Sequence, residues 1–72
     1  MADRVAPDTL AAALPREMVR VAGLIPVYRD VPMGFIAAAL MQAAIDAGQA
    51  AIEAGDVVAM IRAYHDLQGF EA

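Results

Sequence analysis

Gln42-Ala43-Ala44-Ile45-Asp46-Ala47-Gly48 is followed without a gap by Gln49-Ala50-Ala51-Ile52-Glu53-Ala54-Gly55. Only the acid changes between the two heptads. Seven residues are close to two helical turns, so each residue type falls into its own stripe. Gln42, Asp46, Gln49 and Glu53 are spaced four, three and four, and make one narrow wet edge. Opposite lie Ala44, Ala47, Gly48 and Ala51, a face with almost no side chain, which lets another helix come close. A mid-helix glycine costs ~1 kcal/mol relative to alanine, a penalty easier to accept if a second backbone lies against it. The repeat therefore points to an all-α chain. The approaching helix belongs either to a second copy or to the same chain, and two heptads are too few for a coiled coil.

Upstream of the repeat, Asp30 with Pro32 two residues on reads as a helix start. The helix then reaches Ala54, about 23 residues or ~34 Å. Its first half, from Pro32 to Met41, has no polar side chain. Met33, Phe35, Ile36, Leu40 and Met41 point all round the cylinder, and a helix of that kind is expected to be buried all round. Further back, Leu14, Met18, Val21, Ile25 and Tyr28 step by four, three, four and three, a helical apolar stripe. Pro7 suits a first helical position with Asp8 behind it, and residues 1–6 lack pattern and read as frayed. Thr9 to Leu14 makes about two turns, which Pro15 is expected to end. A second helix opens at Pro15, with a kink or end near Leu24 to Pro26 and a connector through Asp30.

Downstream, Gly55 then Asp56 reads as a C-terminal glycine followed at once by an N-cap. The last helix runs from Val57 to about Gln68, with Val57, Met60, Ile61, Tyr64 and Leu67 as its inner face. Arg62 and Asp66 form an exposed i,i+4 pair, and Gly69 ends the helix with Phe70 folding back. The expected fold is a small all-α bundle of three to four helices in one domain, 1–72. Its last two helices make a tight αα-hairpin or corner.

Seventy-two residues, 61% of them hydrophobic against the ~45–50% of ordinary domains, give more apolar surface than one small core can cover. A core of this size supplies only ~3–5 kcal/mol, and small folds lean on disulfides, metals or partners. With no cysteine and a single histidine, disulfides and a structural zinc are excluded. Oligomerisation remains, and the expectation is a homodimer. Its seam runs along Met33, Ile36, Ala37, Leu40, Met41, Ala44, Ala47, Gly48 and Ala51.

Chemistry is absent from the pattern. There is no Lys, Ser or Cys, so the usual nucleophiles and the Schiff-base amine are missing. Tyr64-His65-Asp66 is adjacent rather than facing, and Asp46 and Glu53 lie ~10 Å apart along the axis, too far for one ion. No enzyme, cofactor or metal is expected. Five scattered arginines and a net charge of −4 argue against nucleic acid. The uncharged stretch of residues 31–45 is shorter than the ~20 residues of a spanning helix, and no secretory pattern stands at Asp3-Arg4. No membrane is therefore expected, and the cytoplasm is.

What remains is a non-catalytic interaction module, a small regulator or inhibitor that docks on another protein. The alternative is an assembly subunit built on the heptad face. Size and alanine-rich, lysine-free composition suit a bacterium or its phage. Candidate partner contacts are Phe35, an aromatic beside Met33, the pair Arg16 and Arg20 on one face, and Arg62 and His65 near the C-terminus.

Overall fold

The stripe from Leu14 to Tyr28 is the inner side of one uninterrupted helix. A computed structural model describes residues 9–71 as three α-helices with no strand: α1 Leu10–Arg29, α2 Gly34–Ala54 and α3 Val57–Gln68. The expected helix start at Pro7 and the frayed residues 1–6 lie outside the described residues. Thr9 opens α1, its hydroxyl accepting from the Ala12 N–H at 3.3 Å. Leu14, Val21 and Ile25 are buried, while Met18 and Tyr28 pack against them half-buried.

The helix expected to end at Pro15 runs on through it, and α1 also continues past Pro26, where a kink or an end was expected. Each ring removes the hydrogen bond to the carbonyl four residues back, at Ala11 for Pro15 and Ala22 for Pro26. All four residues are exposed, and their spacing places them on one side of the helix. Water can therefore serve both freed carbonyls, and the inner side of α1 continues unbroken.

The second helix begins later than expected. Asp30 is the C-cap of α1 rather than the N-cap of α2, and Met33 precedes α2 with φ 67 and no side-chain cap. The far end is as expected. Gly55 takes the left-handed conformation with φ 66, and the Asp56 carboxylate accepts from the Ala59 N–H at 3.1 Å. The wet edge also forms as a repeat, with Gln42 donating to Asp46 at 2.9 Å and Gln49 donating to Glu53 at 3.0 Å.

All three helices pack on one another around Leu14, Val21, Ile25, Ala38, Met41, Ala63 and Leu67. The inner side of α3 is rotated from the expected one. Ala63 and Leu67 are buried with Met60 and Tyr64 half-buried, but Val57 and Ile61 face out. Alanine at 63 leaves room for α3 to lie close, which turns the β-branched residues beside it toward solvent. Gly69 ends α3 with φ −75, so it makes no left-handed cap, and Phe70 folds back half-buried onto the core.

Candidate functional site

The corner between α1 and α2 is four residues long, 30–33, and carries apolar side chains outward. Met33 sits in the left-handed region, which costs a residue with a side chain about 1–2 kcal/mol. Met33 is 67% exposed and Phe35 64% exposed, with Val31 and Ile36 beside them about half exposed. The expectation that the first half of α2 is buried on every side therefore fails within the chain. Only Gly34, Ala38 and Met41 of that half are buried, because α1 and α3 cover one side of the helix and nothing described covers the other. An aromatic, a methionine and two branched side chains thus stand exposed together at one corner, beside Asp30.

The expected seam divides in two. Met41, Gly48 and Ala51 are buried, and Ala37 and Ala44 are half-buried, against this chain's own helices. Met33, Ile36, Leu40 and Ala47 are exposed. The approach at Gly48 comes from α1, and from side chains rather than backbone. A Cβ there would lie 3.2 Å from Met18 Sδ, 3.5 Å from Met18 Cγ and 3.7 Å from Leu14 Cδ1.

In Gly48→Ala the helix gains up to ~1 kcal/mol of propensity, while a flexible thioether has to move by a few tenths of an ångström. Urea denaturation is expected to show a net gain below ~1 kcal/mol. Gly48→Leu overfills the same place and is expected to lose ~1–3 kcal/mol. A destabilised alanine variant would mean that Met18 is locked.

Arg20 has a structural task that the sequence did not reveal. Its guanidinium donates to the carbonyls of Leu67 and Phe70, both at 3.0 Å, closing the C-terminal end of α3 where carbonyls lack helical partners. Glu17 pairs with it at 3.0 Å, and this hydrogen bond holds the guanidinium above its ordinary pKa. Two turns along α1, the Tyr28 hydroxyl donates to the Glu71 carbonyl. One side of α1 thus clasps the last residues. Arg20 was expected to meet a partner; here its donors are spent on its own chain.

Arg16 is exposed beside it and lines a shallow open groove with Pro15, Val19 and Arg20. Arg62 and His65 are exposed on α3. The expected pair of Arg62 with Asp66 does not form among the described residues. The ring of His65 stands edge-on to Tyr64 at 6.2 Å, and Tyr64 accepts from Gln68 at 3.0 Å. That is surface packing, with no proton path aimed at a cleft. No group of three acidic, histidine or cysteine side chains suited to a metal occurs among the described residues.

Comparison with protein-family models, with curated proteins and with solved structures yields no match. The functional reading therefore stands on the surfaces alone. One physical feature bears on it: α2 is long and apolar enough, by length and composition, to cross a membrane, with only about a quarter of that stretch buried in the bundle. The charge-free run of residues 31–45 understated this, because Asp46 is followed by further apolar turns.

Proposed function

We propose that this chain is a non-catalytic interaction module, a small cytosolic regulator or inhibitor that docks on another protein through the α1–α2 corner. A single observation carries the reading. Among the described residues, eleven large hydrophobic side chains are exposed, whereas the fully buried large ones are Leu14, Met41, Leu67 and Val21. Monomeric domains seldom leave contiguous apolar surface uncovered unless something binds there. Inhibition is the simplest action for such a surface, since a module without reactive groups can act by covering another protein's site. Neither a cofactor nor a metal enters this reading.

Phe35 is the anchor to test. Aromatic residues dominate the small set of side chains that carry binding energy, and this one is exposed. A tagged chain captures its partner from source cells, the two are reconstituted from purified proteins, and affinity is measured by calorimetry. Phe35→Asp is expected to lose ~2 kcal/mol or more, about thirtyfold, with helicity and melting unchanged. Equal binding by the variant would remove the corner from the interface.

The alternative reading is an assembly subunit. It draws support from one exposed side of α2, where Ile36, Leu40, Ala43, Ala47, Ala50 and Ala54 carry no polar group.

A further inference from the structure

We propose that the outward row Ile36, Leu40, Ala43, Ala47, Ala50, Ala54 is covered by α2 of a second copy of this chain, running antiparallel. All six residues are exposed, and their steps of four, three, four, three and four keep them on one side of the helix. The row shares Ala47 with the glycine-containing face but not Ala44, Gly48 and Ala51, which are covered within the chain. The inference rests on reading the chain as an interaction module and names its first partner.

The row is complementary to its own reverse. A two-fold axis at the level of Ile45 sets Ile36 over Ala54 of the second copy, Leu40 over Ala50, and Ala43 over Ala47. The bulky residues all stand in the first half and only alanines in the second, so each large side chain meets a small one. An isologous interface needs this kind of self-match. A parallel copy in register loses it, setting Leu40 on Leu40 at one end and alanine on alanine at the other.

The acidic edge flanking the row carries Asp46 and Glu53 and no cation. Antiparallel pairing keeps this edge on one side of both copies, with Asp46 level with Ala44 of the second copy and Glu53 level with its Ala37, so the two Asp46 carboxylates lie near one another and added salt, which screens them, is expected to strengthen the pair.

The available area is adequate. A standard interface takes ~800 Å² from each partner, roughly one sixth of the 4626 Å² that the chain exposes. The outward half of one helix in a three-helix bundle is a share of that order. Alanines along the row allow the axes to come within about 8 Å.

The absence of native cysteine makes the test direct. Light scattering over a hundredfold concentration range is expected to give a dimer, and Leu40→Asp to weaken it more than a hundredfold with the helical circular dichroism retained. If Leu40→Asp unfolds, Ala47→Glu on the same row takes its place and is expected to give the same dissociation. Mild oxidation of Leu40→Cys mixed with Ala50→Cys is expected to give the mixed disulfide, and neither variant alone a self-linked dimer. Self-linking by each variant alone would mean a parallel pair and overturn the proposal. A folded monomer throughout would also overturn it, as would a chain monomeric in buffer that pellets with phosphatidylcholine–phosphatidylglycerol vesicles, which would point to lipid on this row. A monomer that still binds its partner through Phe35 sinks the second copy alone. Loss of the Phe35 effect with the mixed disulfide intact sinks the corner alone.

Discussion

Gly34→Ala is expected to cost the protein most of its stability. A Cβ at this position would lie 1.7 Å from the Tyr28 carbonyl oxygen, 2.7 Å from its carbon and 2.6 Å from Val31 Cγ2. Two of those atoms are backbone, so no side chain can swing aside. The Gly34 N–H already donates to the Val31 carbonyl at 3.0 Å, which ties the first residue of α2 to the corner before it. Relief requires opening the corner, and that pulls Ala38 and Met41 off Ile25 and its neighbours. Overfilling a packed site costs ~1–3 kcal/mol and sometimes more. Here rigid backbone is the obstacle, so a loss of ~3 kcal/mol or more is expected, comparable with the ~3–5 kcal/mol a core of this size supplies. Gly23→Ala is the matched control. Its Cβ would meet nothing within 4 Å, it lies mid-helix, and a gain of up to ~1 kcal/mol is expected. Urea denaturation followed by circular dichroism separates the two. Equal stability of both variants would show that the corner yields.

Gly34 also marks where the sequence stopped being legible. Signals confined to one or two turns were readable: the αL glycine at 55, the carboxylate cap at 56, the α1 stripe and the paired Gln–acid edge all sit where local chemistry puts them. The start of α2 was not readable, because the constraint is a carbonyl six residues away that only the finished corner brings near. The prolines misled for a different reason. Their cost depends on whether the carbonyls they free can reach water, and that depends on which side of α1 the core lies. The inner side of α3 was ambiguous because apolar residues cover most of its circumference, and Ala63 decided the rotation by its small size. The apolar run of residues 32–41 was read as buried on every side, yet Met33, Phe35, Ile36 and Leu40 stand outside. Composition fixes how much surface wants cover, and only the packing tells which surface goes without it. Arg20 shows the converse: a surface cation assigned to a partner closes the end of its own bundle.

Leu14→Ala should be as damaging as the change at Gly34, by removing atoms instead of adding them. Leu14 is 0% exposed, and the α2 residue above its Cδ1 is Gly48, which has no side chain to move into the space it leaves. Truncating a buried leucine costs about 2–5 kcal/mol, again comparable with the whole stability of such a core. Leu14→Met keeps the volume and is expected to lose less than ~1.5 kcal/mol, which separates cavity formation from mere side-chain change. The alanine variant also reports on the second copy. If α2 pairs with α2 in the native state, association contributes to stability by mass action, and melting rises with protein concentration. Leu14→Ala, whose defect lies on the far side of α2 from the outward row, should then be unfolded when dilute and regain helicity when concentrated. A melting temperature independent of concentration would mean that α1, α2 and α3 stand alone, with the outward row left for another partner.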